Sequence, residues 1–319
     1  MTSALPLSDL LQALADSTRL RIVALLRLME LSVGELAQVL GQSQPRVSRH
    51  LKILADAGVL ERRKEGSWVF LTLADAERVD PMFALIDAWS DEATQALFAS
   101  DAARTAAIRA ERAEAAGRYF AGHAEVWDQI RSLHVAESEV ERAIDRALGR
   151  RSLGRLVDIG TGTGRMIELL APRASQAIGI DRSSEMLRLA RVKLEAAGIA
   201  SSLRQGDMYA LPLPDGAADN VIIHQVLHYA HSPAAAIAEA ARVLSPGGTL
   251  LVVDFAAHDR EELRSTDAHI RLGFEDEAMA AWYASAGLTI DHIEHLRGGE
   301  LTVTLWRGSK AGVPQRRAA

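Results

Sequence analysis

Residues 155–165 read RLVDIGTGTGR, and the architecture of the larger part of the chain follows from this stretch. An apolar run through Asp158 and Ile159 reads as a buried strand, and a helical pattern begins near residue 164. Between them Gly160, Gly162 and Gly164 alternate with Thr161 and Thr163. Glycines so spaced let the backbone turn sharply and approach a ligand closely. One glycine-rich strand-to-helix turn is a weak signal alone. Asp181 strengthens it: it ends the next strand, about 20 residues on, where a carboxylate accepts hydrogen bonds from ribose hydroxyls. Gly206, Asp207 and Met208 end the third strand and place a carboxylate and an apolar side chain near an adenine. The GxGxG spacing differs from the dinucleotide fingerprint GxGxxG, and there is one glycine turn only. A mononucleoside without a pyrophosphate is the better ligand.

Outward from this turn, strands and helices alternate. QAIGID, SLRQGD, NVIIHQ and TLLVVDF read as strands, and helices are expected over SSEMLRLARVKLEAAG, around 233–244 and near 276–286. Such alternation predicts a doubly wound parallel sheet. LTIDHIEHL and ELTVTLW have no helix between them, so they are expected to pair as an antiparallel hairpin at the sheet edge. The tail 308–319 is expected to be disordered. Residues 81–147 are helical in pattern, with Pro81 opening the segment and Gly117 and Gly122 interrupting it.

The first 80 residues differ. Helical spacing recurs over 7–14, 19–29 and 33–40, with Gly41 as a stop. A fourth helix follows, with Pro45 in its first turn and Gly58 after its end. ERRKEGSWVFLTL then alternates around Glu65 and Gly66 as a hairpin. These elements describe a winged helix-turn-helix. The 319 residues carry a net charge of −6, yet residues 1–80 hold ten basic and ten acidic side chains and are neutral. Within 43–64, six basic residues face two acidic ones, the footprint of a small nucleic-acid-binding module. Val47, Leu51 and Leu54 face the small core. Gln44, Arg46, Ser48, Arg49 and Lys52 then point elsewhere, and Arg and Gln can make bidentate contacts to base edges. Arg62, Arg63 and Lys64 at the hairpin are expected to reach phosphates.

Composition removes other classes. The chain is 48% hydrophobic and 24% charged, which excludes disorder throughout. It has no cysteine, so disulfides, iron–sulfur clusters, thiolate metal sites and cysteine nucleophiles are excluded. No apolar run reaches the ~18 residues of a membrane span. The N-terminus lacks a basic region and a long apolar stretch, so no secretory signal and a cytoplasmic address are expected.

LADSTRLRIVALL and SVGELAQVLGQSQPRVSRHLKILADAGVLERRKEGSWVFLTL resemble the ArsR/SmtB family of winged-helix repressors over essentially all of 1–80. The resemblance implies a homodimer on a palindromic double-stranded operator, with the helix after the wing completing the dimer interface, and effector control. Ser32 and Gly34 stand where the family's thiolate box has cysteines. The segment around Asp80–Leu97 holds Asp87 but no histidine, so neither familiar metal site is present. VDIGTGTG, GIDRSSEML, DNVIIHQVLHY and LSPGGTLLVVDF resemble the class I S-adenosylmethionine-dependent methyltransferases over roughly 117–307. That resemblance implies a Rossmann-like seven-stranded domain binding S-adenosylmethionine or S-adenosylhomocysteine. Asp158, Gly160, Thr161, Gly162 and Gly164 would line its methionine and ribose, and Asp181, Arg182 and Met186 its ribose and adenine. Asp207 would reach the adenine amino group, with Met208 on the ring, and His224 and Gln225 would lie at the methyl end. GRYFAGHAEVWDQIRSLH looks like the lid helix of such enzymes, with Tyr119 and Trp127 covering the cofactor.

The chain is thus read as an α/β protein with four parts. They are a winged helix-turn-helix (1–80), a helical dimerisation linker (81–116), a class I methyltransferase-like domain with a helical lid (117–307) and a tail (308–319). Methyl transfer asks for in-line positioning, and for a base only where the acceptor must lose a proton. His224, His228, His231, His258 and His269 are the candidate bases, each set against the plainer reading of a pocket-wall residue. His224 and His228 stand four apart, but no carboxylate has matching spacing, and no metal is expected. The tryptophans and Met279 read as core or lid. Two functions remain open. One is a repressor with the nucleoside as effector; the resemblance associates it with genes of the methionine and S-adenosylmethionine cycle. The other is a working methyltransferase of a small-molecule acceptor, with the N-terminal module for targeting or autoregulation. A metal sensor is a third reading, which the missing ligands disfavour.

Overall fold

The structure is a computed structural model. It describes residues 7–28, 30–65, 68–74, 76–123, 136–297 and 300–312. The chain divides into two compact units, Met1–Glu114 and Ala115–Ala319.

In the first unit, α1 (Leu7–Leu14), α2 (Ser17–Leu28), α3 (Val33–Leu40) and α4 (Gln44–Asp56) enclose a small core. Ser32 and Glu35 form a reciprocal capping box that starts α3, and Gly41 in the left-handed conformation ends it. Strands β1 (Leu31–Ser32), β2 (Leu60–Glu65) and β3 (Trp68–Leu73) form an antiparallel sheet in the order β1-β3-β2. Two-residue β1 escapes a periodicity reading. Two helices follow, α5 (Ala76–Trp89) and α6 (Glu92–His123).

Pro81 does not open a helix; it lies inside α5. A proline there removes one backbone bond and crowds the preceding turn, but buried Val79, Met82 and Phe83 hold the helix to the core. Gly117 and Gly122 do not interrupt α6. Each glycine costs about 1 kcal/mol against alanine, which an alanine-rich helix absorbs. Arg21 pairs with the buried Asp101 of α6 through two bonds of 2.6 and 2.7 Å. Trp89 is 83% exposed and belongs to no core, against the reading of the tryptophans.

The second unit holds a seven-stranded sheet in the order β6-β5-β4-β7-β8-β10-β9. Its strands are β4 (Gly154–Ile159), β5 (Ala174–Asp181), β6 (Ser202–Gln205), β7 (Ala218–His224), β8 (Leu244–Phe255), β9 (Leu288–Arg297) and β10 (Thr302–Lys310). The first five pair in parallel, and β10 lies antiparallel between β8 and β9. The expected hairpin is there, with β9 at the edge. Strand order reverses between β4 and β7, and ligands of such sheets bind at the carboxyl ends of the strands beside this switch point. Leu156, Val157, Val221, Ile222, Leu250 and Val252 are almost fully buried, as strands covered on both faces require.

The last strand runs past the expected start of the tail. Gly308 pairs with Leu250 and Ile290, and Lys310 Nζ donates to the carbonyls of Ala241 and Leu244. Gly308 is needed there, because a Cβ would lie 2.7 Å from the Tyr283 ring. Residues 313–319 lie outside the described residues.

Candidate functional site

The glycine turn after β4 is built as its spacing requires. Gly160, Gly162 and Gly164 all have left-handed φ angles, 72°, 53° and 84°. A Cβ on Gly160 would come within 2.6 Å of Val226, just beyond β7. Gly160 and Thr161 donate their backbone N–H groups to the Ile180 carbonyl at 2.8 and 3.0 Å. Thr161 Oγ1 donates to Asp158 Oδ2 at 2.6 Å, beneath the turn, where Asp158 is buried.

Asp181 ends β5 beside this turn. Its Oδ2 accepts from Gly162 N and its Oδ1 from Ser183 N, both at 2.8 Å. The carboxylate thus ties the glycine turn to the helix Ser184–Ala196, which Ser183 caps. Burial raises its pKa above the ordinary aspartate value, against the lowering by these N–H donors. Each oxygen keeps a further lone pair for a hydroxyl donor. Met186 is buried, and Arg182 is exposed with its carbonyl held by Gln205. Beyond β6, Asp207 is exposed and accepts from Tyr209 N at 3.0 Å, while half-buried Met208 packs on the main core. Asp158, Asp181, Asp207 and the glycines therefore gather at the carboxyl ends of neighbouring strands.

On the other side of the switch point, His224 ends β7 and Gln225 follows with φ 49°. A non-glycine residue in that region is strained and frequent at functional sites. His228 lies in a short 3-10 turn, Leu227–Tyr229, so His224 and His228 do not share a helix. His228 meets Asp254 at the end of β8, Nδ1 to Oδ1 2.7 Å, with both residues buried. His269 and His258 stand beside this pair, with ring centroids 6.4 Å apart. His231 is half-buried, and its carbonyl accepts from the buried Arg271. Asp254 and Arg271 escaped the sequence reading. The signal for Asp254 was available, since an acidic residue ends the apolar run TLLVVDF just as Asp181 ends QAIGID. Among the described residues no group of three or more His, Asp or Glu side chains could hold a metal. Trp127 and the Tyr119 side chain lie outside the described residues.

In the first unit, Val47, Leu51 and Leu54 are buried on one face of α4, while Gln44, Arg46, Arg49 and Lys52 are exposed and Ser48 half-buried. Arg62 and Lys64 are exposed on β2. Arg63 departs from the expectation of a phosphate contact. Strand alternation turns it to the opposite face, where it pairs with Glu30 at 2.7 Å and lies over the Phe70 ring. The wing therefore presents two of the three expected cations.

Comparison with known proteins agrees with both halves. A family model described as a methyltransferase domain matches residues 157–252, and one described as bacterial regulatory proteins of the arsR family matches residues 16–62. The arsenical resistance operon repressor of Escherichia coli is 49% identical over 75 residues, 23% of this chain and 63% of the repressor. The demethylmenaquinone methyltransferase of Thermus thermophilus is 40% identical over 116 residues, 36% of this chain and 52% of the enzyme. The chain spans about half the length of the curated relatives it matches. A proposed methyltransferase from Bacillus halodurans superposes with a TM-score of 0.50 over 54% of this chain and 98% of its own, at 18% identity, a likeness of fold alone. No described helix is long and apolar enough to cross a membrane. The chain joins an arsR-family helix-turn-helix domain at its N-terminus to a class I methyltransferase domain at its C-terminus.

Proposed function

We propose that the protein is a DNA-binding regulator, a repressor, whose methyltransferase domain binds S-adenosylhomocysteine or S-adenosylmethionine as its effector. The observation that carries the reading is the Asp181 carboxylate. It is held beside a left-handed glycine turn by two backbone N–H groups, in a chain whose other unit is a DNA-binding domain. In this reading Asp181 accepts from the ribose hydroxyls, Asp207 takes the adenine amino group and Met208 packs on the ring. The glycine turn leaves room for the methionine portion. Arg46 and Arg49, with Gln44, read base edges; Ser48, Lys52, Arg62 and Lys64 meet phosphates. Two copies bind a palindromic operator, a reading supported by the exposed apolar side chains Leu85 and Trp89 of α5. The target genes are those of the methionine and S-adenosylmethionine cycle, and the protein works in the cytoplasm.

The test is a gel shift on the protein's own promoter with and without each nucleoside. It is run beside calorimetry of nucleoside binding to the wild type and to Asp181→Ala. The reading expects binding that the substitution abolishes and an operator affinity that the nucleoside changes. A second reading, a working methyltransferase of a small-molecule acceptor, is favoured by the buried pair of His228 and Asp254 at the carboxyl ends of β7 and β8.

A further inference from the structure

The chain passes from its first unit to its second within α6, which runs without a break from Glu92 to His123 across the boundary at Glu114. The first unit holds α6 by a polar contact. Thr94, Phe98, Asp101, Thr105 and Ile108 recur at steps of four and three, the spacing of one helix face. Ile108 packs on the small core, and Asp101 and Thr105 are the buried members, 1% and 2% exposed. A helix docked by the hydrophobic effect places apolar side chains along the middle of such a stripe. Here the middle is polar, and alanines, which have little apolar surface to bury, fill much of the rest. Thr105 Oγ1 donates to the Asp101 carbonyl at 2.9 Å, within the helix. The Asp101 carboxylate reaches out of it: Oδ2 accepts from Arg21 Nε at 2.6 Å and Oδ1 from Arg21 Nη2 at 2.7 Å.

Arg21 belongs to α2, and α2 is fastened to α4. Ile22, Leu25 and Leu26 share the small core with Val47, Leu51 and Leu54 of α4. The start of α2 adds two polar ties. Asp16 Oδ1 accepts from Arg19 N at 3.1 Å and lies 3.6 Å from His50 Nδ1 of α4. Thr18 Oγ1 accepts from Gln42 Nε2 at 3.2 Å, in the turn that leads into α4. His50 is next to Arg49 and one turn beyond Arg46. A tilt or shift of α2 therefore moves the face of α4 that carries both arginines. The Arg21–Asp101 pair suits a switch. Two parallel bonds fix angle as well as distance, so the pair makes or breaks as a unit. A buried pair also adds little net stability, because its charges recover their hydration on release. Docked and released arrangements of α6 then lie close in free energy, as a two-state element requires.

We propose that the Arg21–Asp101 pair is a conformational latch. Nucleoside binding in the second unit shifts α6 between the docked arrangement described above and one in which the pair is parted and hydrated, and α2 passes the change to α4. The proposal rests on the reading that the nucleoside is the effector. α6 belongs to both units, so a change in the second that turns or bends the helix acts on the pair through its backbone. The nucleoside must bind one arrangement better than the other, and the difference in affinity is all that it can spend on moving the equilibrium.

The test compares the full-length wild type with two variants that stop the latch in opposite positions. Asp101→Asn takes the counter-ion from Arg21, so α6 is released. Arg21→Met with Asp101→Leu fills the same space with apolar side chains, a replacement that sites of buried ion pairs tolerate, and leaves no charge for water to draw out, so α6 stays docked. Operator affinity is read from the anisotropy of a labelled promoter fragment, without nucleoside and at saturating S-adenosylhomocysteine. Nucleoside binding is read by calorimetry without DNA. Under the effector reading the two operator affinities of the wild type differ. In each variant the nucleoside effect is expected to be lost, since a protein held in one state leaves no equilibrium to shift. The operator affinities of the two variants are expected at opposite ends of the wild-type range, with S-adenosylhomocysteine still bound by both. If the pair only holds the unit together, the apolar double variant keeps the wild-type nucleoside effect, and that result overturns the proposal. So does a wild-type effect in Asp101→Asn. The double variant decides alone if Asp101→Asn does not fold. A wild type that binds S-adenosylhomocysteine without any change in operator affinity overturns the effector reading itself, and the latch with it.

Discussion

Gly160 and Asp181 carry the proposed nucleoside site, and both can be tested by single substitutions. Gly160→Ala puts a methyl 2.6 Å from Val226 at a φ of 72°. A side chain in that region costs about 1–3 kcal/mol, and the clash displaces the Gln225 segment. Chemical denaturation is expected to show a loss of that size, with nucleoside binding lost by calorimetry. Wild-type affinity in this variant would count against the turn as the binding element. At Asp181 burial raises the pKa, so the carboxyl takes its proton at a pH where an exposed aspartate is still charged. Ribose hydroxyls donate to the charged form. Nucleoside affinity therefore falls as pH drops through the raised value. The unliganded fold runs the opposite way, since its stability cost from this carboxyl appears as pH rises through the same window. Calorimetry across the acidic range checks the first statement, and Asp181→Asn is expected to give weak, flat binding.

Both residues were legible in the sequence because glycine and a strand-end carboxylate each have few other uses at those positions. Asp254 has the same signature, an acidic residue closing an apolar strand. What could not be read was its partner, because the contact of His228 with Asp254 depends on a 3-10 turn and on two strands lying side by side. Arg271, fully buried on backbone carbonyls, left no signal at all, since arginine in a sequence reads as surface.

Among the elements, α4 and the wing separate stability from recognition. Leu51 is fully buried in the small core, and Leu51→Ala is expected to lower the stability of the N-terminal unit by about 2–5 kcal/mol. Arg46 and Arg49 are exposed on the other side. Replacing either by alanine is expected to leave stability within about 0.5 kcal/mol and to weaken operator binding by about 1–3 kcal/mol, with relaxed base preference. Arg62→Ala and Lys64→Ala are expected to weaken binding to all sequences alike and to flatten its salt dependence. Arg63→Ala is expected to lower stability through its pair with Glu30 and to leave the salt slope unchanged. Gel shifts over a salt series with matched denaturation curves check the set; an unchanged slope in both the Arg62 and Lys64 variants would refute the wing assignment. The helix was readable because Val47, Leu51 and Leu54 repeat at the helical period. The difference between Arg63 and its neighbours comes from strand alternation, which the run of three cations concealed. Pro81 misled the boundary of α5 because packing of Val79, Met82 and Phe83 outweighs a local preference.

For the whole molecule the claim is that two domains with separate ligands share one equilibrium. The presence of two domains was legible because the hydrophobic period and the charge balance both change along the chain. Their coupling was not, since no residue pattern encodes the state of a dimer. If nucleoside and operator are coupled, each changes the other's affinity by the same factor, and a hundredfold effect needs only about 2.7 kcal/mol of differential binding. The most direct measurement is operator affinity of the full chain at saturating S-adenosylhomocysteine, at saturating S-adenosylmethionine and without either. Nucleoside affinity is measured in turn with and without operator. A change in operator affinity, matched by an equal factor in the reciprocal measurement, is the expected result, with S-adenosylhomocysteine giving the larger effect. Operator affinity that is the same in all three conditions, in a protein that binds both nucleosides, would contradict the effector role and leave the methyltransferase as the better account.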